Sequence, residues 1–186
     1  MSGHSKWSQI KRQKAVTDAV KSKTFSRFSQ LIALESKHAG GDVTMPALKT
    51  AIDRAKAANM PKNNIDRAVA KGISKDATTL ERIMYECYGP GGVAILIDVL
   101  TDNKNRTTQE IKHLLLKREI ELASPGAAVW AFKKTDDNSY VPNEQTLLTA
   151  TPDDEEKISD VLSSLDEHDD VQCVYTNAIG YEDTGD

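Results

Sequence analysis

The chain has 186 residues, of which 39% are hydrophobic and 28% are charged, with a formal net charge of −4. These values are typical of a globular protein with one or two small domains. The longest mostly apolar stretch, residues 91–100, contains Asp98 and is too short for a membrane-spanning helix, which needs about 20 residues. The chain begins without the apolar segment of a secretory signal, and Cys87 and Cys173 form no Cys-x-x-Cys motif. We therefore expect a soluble protein of a reducing compartment, with both thiols in buried strands and no disulfide bond.

Charge is distributed unevenly along the chain. Residues 1–72 contain 14 Lys and Arg and 5 Asp and Glu, whereas residues 73–186 contain 10 and 23. The first 17 residues carry four cations and no acid. A basic part joined to an acidic part is typical of proteins whose basic part contacts nucleic acid.

Residues 1–17 predict a basic arm, either extended or a short helical lead-in. They contain too few apolar side chains to pack by themselves, since Trp7 and Ile10 are the only large ones. From about Asp18, apolar residues recur at intervals of three and four, which predicts a helix that ends at Gly40-Gly41.

Two further helices are predicted before residue 73. Thr44 is the expected cap of the first, with Pro46 in its first turn. Pro61 is expected to open the second, and Gly72 to end it. Because each of the three helices has one apolar stripe, we predict a helical bundle over residues 18–78 that ends in a short linker.

Residues 79–178 alternate between strands and helices. Strands are predicted at 81–88 and 92–100, and the turn Gly89-Pro90-Gly91-Gly92 between them favours a hairpin. Thr107 and Glu110 have the spacing of a capping box, so a helix is expected to begin there. Further strands are predicted at 127–132 and 139–141.

The last predicted helix has the strongest start signal. Thr151 can cap it, Pro152 occupies its first position, and the four acids Asp153 to Glu156 complement its dipole. A strand at 171–175 follows, and residues 179–186 are expected to form a flexible tail. After the first strand, the order strand-helix-strand-strand-helix-strand is ferredoxin-like. We therefore predict an α+β protein, with an N-terminal three-helix bundle followed by a ferredoxin-like α/β sandwich domain.

The sequence contains no recognisable catalytic or metal-binding motif. The four histidines have no metal-ligand spacing, and no His-Glu-x-x-His motif is present. Ser8 and Lys11 match Ser-x-x-Lys without the partner motifs of acyl-transfer enzymes. The turn at residues 89–92 lacks the Lys and Ser or Thr of a phosphate-binding loop. We therefore expect no enzymatic activity, no metal and no cofactor.

The arm and the first helix are the predicted nucleic-acid-binding region. Their cations can neutralise phosphates, and the interleaved rings of His4 and Trp7 can stack on unpaired bases. The alternative is a solvated basic face, which leaves Trp7 in so polar a segment unexplained. The predicted contact residues are His4, Ser5, Lys6, Trp7, Lys11, Arg12, Lys14, Lys21, Lys23 and Arg27.

Two predicted helix starts are further candidate anion sites. Lys104, Asn105 and Arg106 stand where free backbone N–H groups and the helix dipole favour negative charge. Lys62, with Asn63-Asn64 beside it, offers a weaker version of the same arrangement. A capped loop with surface charges is the alternative at the first of these sites.

Distinctive short motifs occur along the chain in a fixed order. They are Gly3-His4-Ser5-Lys6-Trp7, Ile10-Lys11, Lys23-Thr24-Phe25, Gly40-Gly41-Asp42, Asn59-Met60-Pro61-Lys62-Asn63-Asn64-Ile65, Tyr85-Glu86-Cys87-Tyr88-Gly89-Pro90-Gly91-Gly92-Val93-Ala94, Thr101-Asp102-Asn103-Lys104-Asn105-Arg106-Thr107, Asp169-Asp170-Val171-Gln172 and Val174-Tyr175. Each is moderately specific by itself. The ordered set, which covers residues 3 to about 134 and about 139 to 177, resembles the YebC/PmpR family.

The resemblance implies a regulator of gene expression that is not an enzyme. Family members are described as DNA-binding transcriptional regulators. Some bacterial members, and the mitochondrial translational activator of cytochrome c oxidase subunit I, are described instead as ribosome-associated translation factors, and those bacterial members are said to relieve stalling on proline-rich sequences. The resemblance also implies three domains, one inserted in another. Here only Thr135 to Asn138 separate Lys134 from Ser139, where the family usually carries the insertion, so we expect a shortened member.

Two modes of action therefore stay open. A DNA-binding transcriptional regulator would hold the duplex mainly through phosphates, since no helix carries closely spaced base-reading side chains. A ribosome-associated translation factor would use its flexible basic arm on ribosomal or transfer RNA. We take the first as the main hypothesis and the second as the alternative. We assume a cytoplasmic monomer without membrane or small-molecule partners, with an organelle as the alternative location because the acid-free basic N-terminus resembles a transit peptide.

Overall fold

The computed structural model of the protein describes residues 18–75, 79–136 and 138–181. These residues contain α1 (Asp18–Ala39), α2 (Pro46–Ala57), α3 (Lys62–Ile73), β1 (Glu81–Tyr88), β2 (Ala94–Thr101), α4 (Lys104–Leu116), β3 (Phe132–Lys134), β4 (Tyr140–Pro142), α5 (Pro152–Asp166) and β5 (Val171–Thr176). The predicted α+β class is confirmed. The described residues up to Glu81 form one compact unit, here called the helical unit, and those from Arg82 onward form a second, here called the α+β unit.

The helical unit consists of α1, α2 and α3, as predicted. α1 packs against both other helices, and the apolar stripes meet in one core. The buried members of that core are Ile32, Leu48, Ala51, Ile52, Ala55, Met60, Ile65 and Ala68. The spacing of three and four residues therefore identified the inward face of each helix correctly.

Two predicted helix ends in this unit are wrong. Thr44 does not cap α2, because its hydroxyl and N–H both donate to Asp42 Oδ1, at 2.7 and 2.9 Å. Gly72 does not end α3, which continues to Ile73. Gly72 is buried where α3 meets α1, and a Cβ atom there would lie 2.3 Å from the carbonyl oxygen of Ala33. Its role is therefore close helix packing and not termination.

The α+β unit is built on a three-stranded sheet with the order β1-β2-β5. β2 is buried along its whole length, and it pairs antiparallel with β5 from Ile95–Thr176 to Val99–Val171. Because alternate residues of a strand point to opposite faces, β2 contributes to two cores. Ile95, Ile97 and Val99 pack with α4 and α5, whereas Ala94 and Leu96 pack with the layer that contains Phe132 and Tyr175.

The elements follow the predicted ferredoxin-like order, but their strands form two separate ladders. β1 lies beside β2, and β3 pairs only with β4, from Phe132–Pro142 to Lys134–Tyr140. The β3–β4 turn is closed by hydrogen bonds from the Thr135 N–H and hydroxyl to the Ser139 carbonyl, at 2.9 and 3.0 Å. This short turn lies where the family resemblance implies an inserted domain.

Several local predictions in the α+β unit need correction. The strand predicted at 127–132 begins only at Phe132, since residues 129–131 form a single 3-10 turn. Asn103 caps α4 in place of Thr107, which is buried. Tyr181, expected in the tail, is 8% exposed and donates its hydroxyl to the Glu155 carbonyl. Residues 182–186 lie outside the described part of the chain.

Other predictions agree with the structure. Thr151 caps α5 by accepting the Asp154 N–H, and Pro152 is the first residue of that helix. Both cysteines are thiols outside any disulfide bond and lie in strands, Cys87 buried and Cys173 half-buried. Burial raises the pKa of the Cys87 thiol to about 12. Among the described helices, none has the length and apolar character needed to cross a membrane.

Candidate nucleic-acid interface

The cationic residues of the described chain are concentrated in the helical unit. Residues 18–75 contain 11 Lys and Arg and 5 Asp and Glu, whereas residues 79–181 contain 9 and 19. Most of the basic side chains on α2 and α3 are exposed. A polyanion would therefore be attracted to the helical unit and repelled by most of the α+β unit.

The start of α3 has the properties of an anion site. Its N-cap residue is Pro61, which supplies no side-chain hydrogen bond, and its first turn contains no acid. The N–H groups of Lys62 and Asn63 have no partner inside the helix, because the first groups of any α-helix lack one. The dipole adds partial positive charge at the same end. This end of α3 is chemically suited to an anionic oxygen.

Two cationic side chains flank the start of α3. The Lys62 side chain is 87% exposed, and its Nζ lies 3.7 Å from Asp66 Oδ2. An ion pair this exposed contributes about 0–1 kcal/mol, so a phosphate can compete for the lysine. Arg67 is exposed one turn later, donating its Nε–H to the Asn63 carbonyl and its Nη2–H to Asn64 Oδ1. Arg67 was not among the contact residues predicted from the sequence, although its spacing from Asn63 places both on one face of a helix.

The start of α4 is less suited to bind an anion. Asn103 Oδ1 already accepts the Arg106 N–H, at 3.1 Å. The Arg106 guanidinium pairs with three carboxylates, at 2.8 Å from Asp170, 3.2 Å from Asp102 and 3.8 Å from Glu110. Its hydrogen bond to Asp170, together with these charges, raises the pKa of Arg106. Arg106 is thus held by this chain's own acids, while Lys104 and Asn105 are exposed beside it.

The Asp170 carboxylate organises the surroundings of α4. It accepts the Thr107 hydroxyl at 2.5 Å and an Arg106 N–H at 2.8 Å. Burial raises the pKa of Asp170, but the donated hydrogen bonds of Thr107, Arg106 and Thr101 outweigh burial and leave the pKa below its ordinary value. Because Thr107 takes part in this network, it is not available to cap the helix.

Glu110, His168 and Asp170 place possible metal-ligand atoms within 4.8 Å of one another. His168 uses both ring nitrogens, since Nδ1 accepts the Asp170 N–H and Nε2 lies 3.1 Å from Glu110 Oε2. Arg106 supplies a fixed positive charge to the same group. With the donors engaged and a cation already present, this cluster fits an ion-pair network better than a metal site.

The remaining predicted contact residues belong to α1 and the arm. Lys21 is exposed on α1, whereas Lys23 and Arg27 are half-buried. The arm residues lie outside the described part of the chain, so their contacts stay a prediction: His4, Ser5, Lys6, Trp7, Lys11, Arg12 and Lys14. Lys62 and Arg67 thus both lie within the first two turns of α3, whereas Arg106 is engaged by the chain's own acids and its phosphate contact stays a prediction.

Comparison with known proteins adds independent information. Residues 5–75 match the TACO1/YebC protein N-terminal domain, and residues 80–136 match the TACO1/YebC second and third domain. A "Probable transcriptional regulatory protein" of Dictyoglomus thermophilum is 44% identical over 166 residues, which cover 88% of this chain and 64% of the relative. The chain thus spans a little under two thirds of that relative's length.

A second relative and a solved structure extend the comparison. The protein of the same name from Pelotomaculum thermopropionicum is 34% identical over 238 residues, covering 95% of this chain and 98% of the relative. Since this chain has only 186 residues, the relative carries additional residues within the aligned region, in agreement with a shortened member. The crystal structure of a conserved hypothetical protein from Aquifex aeolicus superimposes with a TM-score of 0.75 at 26% identity, covering 87% of this chain and 91% of that chain.

Proposed function

Since this chain belongs to the TACO1/YebC family, we propose that it is a non-enzymatic, nucleic-acid-binding regulator of gene expression that acts as a DNA-binding transcriptional regulator. The relatives it matches are named probable transcriptional regulatory proteins. A cytoplasmic location accords with that role.

The observation that carries the proposal is the uncapped start of α3 beside two exposed cations. Lys62 and Arg67 flank a helix end whose first N–H groups have no side-chain cap. Both long helices of the α+β unit, by contrast, have side-chain caps, and α5 carries acids in its first turn. The helical unit is therefore the part of the described chain best suited to contact phosphate oxygens.

The mode of contact follows from the chemistry of these groups. Lysine, arginine and free helix N–H groups bind phosphate oxygens, which are the same for every base sequence. Asn63, Asn64 and Arg67 are closely spaced on α3, but the Arg67 guanidinium binds the Asn64 side-chain oxygen, so that amide is engaged within the chain and not presented to a base edge. Affinity would thus come from contacts with the sugar-phosphate backbone of the DNA, and selectivity from duplex shape or from partner proteins.

Salt dependence of binding tests the proposal. If the four arm cations together with Lys62 and Arg67 contact phosphates, the logarithm of affinity for duplex DNA falls with the logarithm of salt concentration at a slope of about −5. Replacing both residues in K62A/R67A should make the slope shallower by about 2. The matched control is K117A/K157A, which removes two exposed cations of the α+β unit. Equal slopes for the wild type and K62A/R67A would reject the α3 surface.

The alternative is a ribosome-associated translation factor, favoured by the basic arm that interleaves His4 and Trp7 with cations. Aromatic rings interleaved with cations suit unpaired bases of folded RNA better than a regular duplex. Sedimentation of a cell lysate through a sucrose gradient, with and without ribonuclease, distinguishes the two functions. Nuclease-sensitive migration with ribosomal particles supports translation, whereas free protein that protects discrete promoter DNA supports transcription.

A further inference from the structure

The α+β unit displays an aromatic side chain that the sequence analysis did not consider. Trp130 is 60% exposed, more than any other large hydrophobic residue in the described part of the chain. It lies in the 3-10 turn Val129–Ala131, immediately before β3. Neighbouring Tyr88, at the end of β1, is 40% exposed. Because aromatic side chains are enriched where proteins contact partners, this exposed indole beside an exposed phenol is a candidate contact site.

Hydrogen bonds hold the edge of the Trp130 ring in place. Its Nε1–H donates to the Tyr88 hydroxyl at 3.0 Å and to the Ala127 carbonyl at 2.8 Å. The Tyr88 hydroxyl in turn donates to the same Ala127 carbonyl. Because the only polar atom of the indole is engaged within the chain, the ring can offer a ligand its flat face and not a hydrogen bond.

A buried carboxylate fixes the loop that carries Trp130. Glu86 is 6% exposed and accepts the N–H groups of Gly126, Ala128 and Val129, at 2.7, 2.6 and 2.9 Å. Its own carbonyl accepts the Ala123 N–H at 2.8 Å. A buried charge is costly unless hydrogen bonds satisfy it, and here they are directed to the segment just before Trp130. The indole is therefore presented on a rigid support, which lowers the entropic cost of binding.

The charge around Trp130 differs from that of the rest of the unit. Residues 122–135 contain two cations, Lys133 and Lys134, and no acid, and the acids Asp136 and Asp137 follow directly. Both lysines lie on β3 and are exposed. Neither forms an ion pair with another residue in the described ranges. As consecutive residues of a strand they point to opposite sides of β3, so one of them can share a side with a ligand on the indole and pair with its negative charge.

We propose that Trp130 and a lysine of β3, Lys133 or Lys134, form a binding surface for single-stranded nucleic acid, on which an unpaired base stacks on the indole and the lysine contacts an adjoining phosphate. The choice of nucleic acid as ligand rests on the proposed function, but the surface is separate from the α3 start. Because the indole N–H already donates within the chain, a base that stacks on the ring makes no hydrogen bond to it. We therefore expect the surface to accept any base.

Tryptophan fluorescence reports this contact directly. The chain has two tryptophans, so the W7F variant leaves Trp130 as the only source of indole emission. Titration of full-length W7F with a 12-nucleotide single strand of mixed sequence should quench that emission as a base stacks on the ring. A quench by an apolar peptide together with no response to the oligonucleotide would assign the surface to protein binding and overturn the proposal.

Affinity measurements with matched variants complete the test. W130A should bind the 12-mer about tenfold more weakly, since stacking on an aromatic ring contributes about 1–3 kcal/mol per base. The K133A/K134A variant, which removes the lysine on either side of β3, should make the salt slope shallower by about 0.7, the value of one phosphate contact on a single strand. L116A removes a side chain of similar exposure, 57%, elsewhere in the same unit and should leave affinity unchanged. Circular dichroism confirms that each variant is folded, which is expected because the four substituted side chains are exposed.

The outcomes separate this inference from the proposed function. If W130A binds the single strand as tightly as the wild type while K62A/R67A weakens binding to duplex DNA, the Trp130 surface is rejected and the function stands. If W130A weakens single-strand binding but K62A/R67A leaves the duplex slope unchanged, the Trp130 surface is supported and the α3 surface is rejected. If the wild type binds neither duplex nor single strand, both are wrong.

Discussion

Replacing Gly72 with alanine tests how closely α1 and α3 pack. Gly72 lies one residue before the end of α3, on the face turned toward α1. An added Cβ would lie 2.3 Å from the Ala33 carbonyl oxygen and 2.7 Å from Ser36 Cβ. The first contact is with backbone and cannot be relieved by rotating a side chain. The same contact region contains the hydrogen bond from Ser36 Oγ to the Val69 carbonyl, at 2.8 Å.

The expected effect of G72A is the sum of opposing terms. Helix propensity alone favours alanine over glycine by up to about 1 kcal/mol. Overpacking a buried contact costs about 1–3 kcal/mol, and a lengthened Ser36 hydrogen bond adds about 1 kcal/mol. We expect a net loss of about 2 kcal/mol in the free energy of unfolding. For a unit of roughly 60 residues, this loss lowers Tm by about 8–16 °C.

Thermal unfolding of the full chain, followed by circular dichroism at 222 nm, measures this loss. Hydrogen exchange of α1 and α3 amides assigns the change to the helical unit. Two controls separate the terms: A70G, at an exposed site of α3, changes propensity alone, and S36A removes the hydrogen bond without adding a clash. A G72A protein with an unchanged or higher Tm would show that α1 and α3 pack less closely than the structure indicates.

Three further outcomes are expected. Glu119 has a φ of 59°, in the left-handed region that favours glycine, so E119G should raise the free energy of unfolding by about 0.5–1 kcal/mol in urea titrations, while E119A should not. Burial raises the pKa of Glu86, but its three backbone N–H donors outweigh burial and hold the pKa below its ordinary 4.5. E86Q should therefore lower the free energy of unfolding by about 1–3 kcal/mol and accelerate amide exchange at Gly126 and Ala128. Unchanged exchange would show that Glu86 does not hold this loop in place. The folded-state pKa values of Glu86 and Asp170 are both lowered, so the stability that these carboxylates contribute is complete above their unfolded-state pKa values and is lost as pH falls. Tm should therefore decrease below about pH 4.5, and this decrease should be less steep in E86Q.

Elements defined by short-range interactions were predicted well. α5 is the clearest case, because Thr151, Pro152 and the acids that follow act within one turn of the chain. The three helices of the helical unit followed from apolar spacing, and β2 and β5 from short runs of β-branched and apolar residues. The partition of charge between the two units can be counted from the sequence alone, and it predicted that the helical unit is the part that contacts nucleic acid.

Predictions failed where a side chain or backbone group takes its partner from a distant part of the chain. Thr107 has the spacing of a helix cap, yet its hydroxyl is bound to Asp170, 63 residues away. The same distant carboxylate also engages Arg106, a contact that the sequence did not predict, while the phosphate contact of Arg106 stays a prediction. The strand predicted from residue 127 is replaced by a turn because Glu86, about 40 residues earlier, binds its N–H groups.

The amino-acid sequence by itself determined which segments of this protein become helices, which of their faces turn inward, and which part carries positive charge, because hydrophobic spacing, capping and composition act over a few neighbouring residues. Only the tertiary structure decided that Gly72 permits close helix packing, that Arg106 is neutralised by the chain's own acids, and that Trp130 is held exposed on a rigid loop. Those outcomes depend on contacts between groups that are far apart in the sequence, and local sequence patterns do not predict such contacts.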